Sequence, residues 1–286
     1  MARRLTAAAL LLLAAATWAS AQQTVQTVQV PSLDQPIVLP AFWFPLPGNT
    51  PALVLLHGCG GPYAGEGREG GLSRRMRDYA AHLNGLGVQV LVPDSLTPRG
   101  EKELCTQRAG SRQVTQLQRR RDALGALQWL AAQPGVDAKR IGLLGWSNGG
   151  STVLASTNRR HAEVAAAPVQ PSLAVAFYPG CESELKHPFD ASAPLLLLVG
   201  EADDWTPAAA CRVLAATIAG PPVQIEVYAG AHHGFDGTAP VRHRSDVPNG
   251  ARPGAGVHVG GNAAARSASL LRLDRFLREQ WALSPR

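Results

Sequence analysis

The chain has 286 residues, 45% of them hydrophobic and 17% charged, with a net charge of +6. That balance excludes a disordered chain and leaves enough length for one large core. The 27 basic residues are interspersed with 21 acidic ones, and the tight run Arg119-Arg120-Arg121 reads as the solvated face of a helix, so nucleic-acid binding finds no support.

Taken in chain order, Met1-Ala2-Arg3-Arg4 is a short basic start, Leu5 to Trp18 is apolar, and Ala19-Ser20-Ala21 offers an A-x-A cleavage site. Residues 1–21 are therefore expected to be a secretory signal peptide and 22–286 a single α/β domain, without stable membrane insertion after cleavage and in the periplasm or secreted. Without Arg3 and Arg4 the 27 basic residues become 25, and the net charge falls to +4. Residues 25–30 and 37–44 read as an opening pair of strands, and 52–56 as a fully apolar strand ending at His57-Gly58. A helix is expected over 73–86, a strand over 88–92 and a long amphipathic helix over 113–132. Then follow a strand at 141–144, a helix over about 149–159, and strands at 173–178 and 194–199. The chain closes with a helix over 207–218, a strand at 223–228 and a helix over 263–281 capped by Asn262. Residues 236–261, rich in Gly, Pro and His, have no period and are expected to form an ordered surface loop. Strands alternating with helices, most of them apolar throughout, predict a mostly parallel central sheet of about eight strands flanked by helices on both faces.

Reactive groups in such a sheet collect at the carboxyl ends of the strands. The strand at 141–144 leads into Gly145-Trp146-Ser147-Asn148-Gly149, a G-x-S-x-G turn that pushes a serine hydroxyl outward. The strand at 194–199 leads to Asp203-Asp204, and that at 223–228 to His232-His233. The order Ser, Asp, His is that of α/β-hydrolases. His233 is expected to take the proton of Ser147 and Asp203 to orient the imidazole, with Asp204 and His232 left open as substitutes. The oxyanion donors are expected from the backbone of Asn148 and of Cys59 or Gly60, while Trp146 and Trp205 are candidates for the acyl pocket. His57 is expected to be structural. Gly65-Glu66-Gly67-Arg68-Glu69-Gly70 matches a dinucleotide pattern but does not open a helix after its strand, so it reads as a flap near the site. No cofactor and no metal are expected, because His and Cys spacings fit no zinc site.

These segments resemble the dienelactone hydrolase family of α/β-hydrolases over nearly all of residues 22–286. The resemblance rests on Leu56-His57-Gly58-Cys59-Gly60-Gly61, Gly145–Gly149, Gly200-Glu201-Ala202-Asp203 with Pro207, and His233-Gly234-Phe235. It implies Ser147, Asp203 and His233 as the triad, because the family spaces its acid three residues after the strand-end glycine and sets its histidine before a small residue and a phenylalanine. The founding enzymes carry a cysteine nucleophile in the cytoplasm, whereas Ser147 and an export signal stand here. Arg99 lies near where the family holds a substrate carboxylate, shifted by one residue, and either an anion contact or a surface salt bridge fits it. Four cysteines suit an exported chain with two disulfides, for which three pairings exist. On the implied sheet, Cys59 and Cys105 share loops above neighbouring strands, and Cys181 and Cys211 flank the site, which favours those two pairs.

The expected function is an exported serine esterase or lactonase acting on a small or medium ester through an acyl-enzyme. A peptidase, thioesterase or acyltransferase shares the triad, and a non-catalytic binding scaffold is the rival outside enzymes. Sequence leaves the natural substrate and the oligomeric state open.

Overall fold

The computed structural model describes residues 25–65 and 71–284. The expected signal peptide and residues 66–70 of the expected flap lie outside them. Eight strands form one sheet: β1 (Gln26–Pro31), β2 (Val38–Phe44), β3 (Thr50–Leu56), β4 (Gln89–Pro93), β5 (Val136–Trp146), β6 (Ala174–Phe177), β7 (Leu195–Gly200) and β8 (Val223–Tyr228). Their order is β1-β2-β4-β3-β5-β6-β7-β8. β2 runs antiparallel to both β1 and β4, and every pairing from β4 through β8 is parallel. This is the mostly parallel eight-stranded sheet that the strand pattern predicts, in the α/β-hydrolase form that the resemblance implies.

The apolar strands are continuous because both faces of the sheet are covered. Successive residues point to opposite faces: Ala52, Val54 and Leu56 of β3 join one core, and Leu53 and Leu55 join the other. The first core is closed by α2 (Gln116–Ala131), α3 (Asn148–Thr157) and α5 (Ala208–Thr217), the second by α1 (Arg74–Gly85) and α6 (Ala263–Trp281). α4 (Ala162–Ala165) is a single turn. Ser73 caps α1 by accepting from the Met76 N–H, and Asn262 caps α6 by accepting from Ala265 at 3.0 Å. α2 starts three residues later than its periodicity predicts. Thr115 and Gln118 form a capping box there, and Thr115 itself is extended.

Two further expectations change. Residues 236–261 contain a short hairpin, β9 (Arg242–Arg244) against β10 (Val257–Val259). Strands of three residues carry too few positions to show a period of two. The arginine run is no solvated face: Arg119 is only 1% exposed and Arg120 9%. Arg120 and Arg121 pair with Glu163, and Arg121 also with Asp34. Among the described residues no helix is long and apolar enough to cross a membrane.

Candidate active site

β5 ends at Trp146, and the chain turns sharply into α3 at Ser147, whose φ of 53° and ψ of −118° lie where side chains are rarely found. The flanking glycines serve close approach. A Cβ on Gly145 would meet the Gly149 carbonyl oxygen at 2.3 Å, and one on Gly149 would meet the Leu56 oxygen at 2.0 Å. The Ser147 N–H donates to the Phe177 carbonyl at 2.9 Å, which fixes the turn to β6.

Asp203 stands on the loop after β7 and His233 on the loop after β8. The structure brings both to Ser147: His233 Nε2 lies 2.8 Å from Ser147 Oγ, and His233 Nδ1 lies 2.8 Å from Asp203 Oδ2. The free carboxylate oxygen Oδ1 accepts the backbone N–H groups of Trp205 and Thr206 at 2.9 and 2.8 Å. Nδ1 therefore carries its proton toward a fixed carboxylate, and the Nε2 lone pair faces the serine hydroxyl. The Thr206 hydroxyl sits 3.0 Å from Asp203 Oδ2 and 3.1 Å from His233 Nδ1. The imidazole packs against the rings of Trp205 and Tyr178, at centroid distances of 4.6 and 4.7 Å.

The neighbouring residues are used elsewhere. Asp204 accepts from the His258 N–H and faces His258 Nδ1, both at 2.7 Å, fastening the hairpin beside the site. The His232 ring lies against His258, at 5.5 Å between centroids. His57 is buried, its Nδ1 donating to the Gly58 carbonyl at 2.7 Å while Nε2 accepts from the Ser95 N–H at 3.3 Å. Burial, with the Arg119 cation beside it, pushes this imidazole down to about 3, so it is neutral at ordinary pH.

A cavity of about 550 Å³ opens over Ser147 and His233. Gly58, Cys59 and Gly60 form one wall, while Trp146 and Trp205 also line it. Asn148 opens α3, where backbone N–H groups lack partners inside the helix. Residues 237–240 and 259–261 also line the cavity, so the segment expected to be a surface loop contributes to the site. Arg99 is not among the lining residues. Its guanidinium is held by Asp122 and Asp34 at 2.8 to 2.9 Å, which makes it a salt-bridge residue. The disulfides join Cys59 to Cys105, with Cα atoms 5.0 Å apart, and Cys181 to Cys211, at 5.1 Å. The first ties the Cys59 wall to the loop after β4.

Three features were not read from sequence. Thr206 stands in plain view three residues after Asp203, but only the fold brings it to the histidine. Asp236, three residues after His233, is a buried carboxylate that accepts from Tyr178 Oη at 2.6 Å, Tyr79 Oη at 3.2 Å and Arg75 at 3.1 to 3.2 Å. Burial raises both phenols well above their ordinary 10.0, so they remain donors to that carboxylate and keep Tyr178 against His233. Arg119 reaches the Asn148 side chain and the His57 carbonyl from below the site.

The model of the dienelactone hydrolase family matches residues 67–279. No curated protein matches the sequence. Among solved structures, the chain is similar to a putative dienelactone hydrolase from Klebsiella pneumoniae subsp. pneumoniae MGH 78578, with a TM-score of 0.63 and 18% identity over 90% of this chain and 98% of that one. Esterase 2 of Thermogutta terrifontis, phosphorylated by paraoxon, aligns with a TM-score of 0.64 and 19% identity over 92% and 96%. A dienelactone hydrolase-like promiscuous phosphotriesterase, P91, from metagenomic libraries aligns with a TM-score of 0.60 and 18% identity over 90% and 98%. At these identities the likeness is one of fold.

Proposed function

The chain belongs to the dienelactone hydrolase family and is a hydrolase acting on esters, and from that premise we propose that it is an exported serine esterase working through an acyl-enzyme. The observation that carries this reading is the single imidazole of His233 placed 2.8 Å from both Ser147 and Asp203. His233 Nε2 takes the Ser147 proton as Oγ attacks the acyl carbon. Asp203 stabilises the imidazolium, and that proton then goes to the leaving alcohol. Water, deprotonated by the same nitrogen, attacks the acyl-serine and releases the acid. The N–H groups of Asn148 and of Cys59 or Gly60 bind the oxygen on which negative charge develops.

Export is supported by the Ala19-Ser20-Ala21 cleavage site and by two disulfides, which suit an oxidising compartment. The single domain then spans 22–286. The cavity lining favours a small or medium ester bearing a negative charge. Of the arginines lining it, Arg74, Arg75 and Arg244 are ion-paired, whereas Arg242 and Arg266 have no carboxylate partner among the described residues. A carboxylated ester should show a higher kcat/KM than its neutral methylated counterpart, and Arg242→Ala with Arg266→Ala should level the two.

The primary test treats the oxidised protein, residues 22–286, with a fluorophosphonate and locates the adduct by peptide mass. Label on Ser147 that is lost in His233→Ala is the expected outcome. A folded protein that takes no label would remove the esterase reading and bring forward the binding scaffold.

A further inference from the structure

We propose that Arg119 is a positioning residue for the oxyanion site, joining the two segments that carry the oxyanion amides and keeping a positive charge behind them. This inference rests on the reading of Ser147 as the nucleophile.

Arg119 projects from α2 and is 1% exposed. Nη1 donates to Asn148 Oδ1 at 2.5 Å, and Nη2 donates to the His57 carbonyl at 2.7 Å. Asn148 follows the nucleophile, and His57 leads into Gly58-Cys59-Gly60. One planar fork therefore spans both halves of the oxyanion site, a geometry that the point charge of a lysine cannot copy. The contact is reinforced from both sides. Gln116, one turn earlier on α2, donates to the Asn148 carbonyl at 3.2 Å and accepts from Thr152 of α3 at 2.9 Å. Gly149 brings α3 onto the end of β3, since a Cβ there would stand 2.6 Å from the same His57 oxygen.

The carboxylates of Asp122 and Asp94 bear on this arginine through space, without a hydrogen bond to it. Among the described residues it makes no ion pair. Asp122 is engaged by Arg99 at 2.8 and 2.9 Å and by Ser32 at 2.6 Å. Asp94 accepts from Tyr63 at 2.9 Å and from the Leu96 and Thr97 N–H groups at 2.9 and 3.1 Å. His57 is neutral. Burial brings the guanidinium down to about 10, so it remains a cation at neutral pH. A buried cation with two neutral acceptors, and with Nε lacking any partner, is costly as a fold element. Its field becomes useful when negative charge appears on the far side of the peptides it holds.

The test uses a trifluoromethyl ketone. Ser147 Oγ adds to its carbonyl carbon, the serine proton passes to His233, and the hemiketal oxygen occupies the oxyanion site. A 19F NMR titration reads the acidity of that hemiketal, and ester kinetics supply kcat and KM separately. In Arg119→Met the hemiketal should become roughly tenfold weaker as an acid. There kcat should fall roughly 10- to 100-fold with KM within about threefold. Arg119→Lys, which keeps the charge without the fork, should retain the hemiketal acidity and recover only part of kcat. Asn148→Ala, which cuts one tie and leaves Arg119 in place, should lower kcat by less than Arg119→Met. Wild-type acidity and kcat in a folded Arg119→Met protein would overturn the inference. Equal kcat losses in the Lys and Met variants with unmoved hemiketal acidity would do the same, since that marks packing alone. If the Met variant does not fold, full kcat in both Arg119→Lys and Asn148→Ala would overturn it. A wild type that forms no hemiketal and takes no fluorophosphonate would instead bring down the nucleophile reading, and this inference with it.

Discussion

Two aspartate–histidine pairs, their aspartates adjacent in sequence, differ in almost everything but distance. Asp203 and His233 meet at 2.8 Å with side chains 0% and 6% exposed. Asp204 and His258 meet at 2.7 Å but are 37% and 46% exposed. The first pair is buried, receives backbone donors and a threonine hydroxyl, and offers its far nitrogen to a serine. The second faces solvent and holds a hairpin. Contact between a carboxylate and an imidazole thus specifies nothing by itself. Burial and the third partner decide whether it can move a proton or only fasten a loop.

The comparison is put at greatest risk by Asp203→Asn. Loss of the imidazole-orienting carboxylate should lower kcat by roughly 10⁴ while leaving the fold intact. A loss of similar size in Asp204→Asn would erase the distinction. Next comes Thr206→Val, which removes the hydroxyl shared by Asp203 and His233 and should cost roughly tenfold in kcat. Its effect should be absent in the Asp203→Asn background. Asp204→Asn itself should change kcat by less than about threefold and stability by under about 1 kcal/mol. The sensitive measurement there is hydrogen exchange, which should quicken over residues 242–259. The smallest effect lies in pH. Burial alone would raise the Asp204 carboxyl, but the hydrogen bonds from the His258 ring and backbone outweigh it and hold it below its ordinary 3.8. A carboxyl depressed on folding stabilises above its unfolded pKa, and that contribution fades as pH falls through the folded value. The exchange difference between wild type and Asp204→Asn should therefore persist at neutral pH and vanish in acid well below about 4.

Most of the sheet was legible in the sequence because apolar runs such as 52–56 and 195–199 cannot be placed anywhere but between two layers of helices. The same logic places Ser147, Asp203 and His233, since each lies on the turn or loop just after its own strand. What was not legible depended on partners distant in sequence. Arg119 lies within a charged run on a helix, and nothing local says that one of its three arginines points inward at the end of β3. The hairpin β9–β10 is defined by its pairing and by Asp204, since neither strand has a hydrophobic period of its own. The roles open to Arg99 separated only once Asp34 and Asp122 were found around it. The late start of α2 was readable, because Thr115 and Gln118 have the spacing of a capping box. Periodicity outweighed that signal.

The backbone at Ser147 has a consequence for durability. A side chain held at φ 53° and ψ −118° stores strain that glycine would not feel, on the order of 1–3 kcal/mol. Ser147→Ala and Ser147→Gly both delete the hydroxyl, so their difference in melting temperature isolates the conformational part. The glycine chain, although inert, should outlast the alanine chain on heating, even though glycine gives the unfolded state more freedom. The position proposed to carry the nucleophile is then also one where the folded chain is kept under tension, and on that reading wear resistance and turnover are set against each other at a single residue.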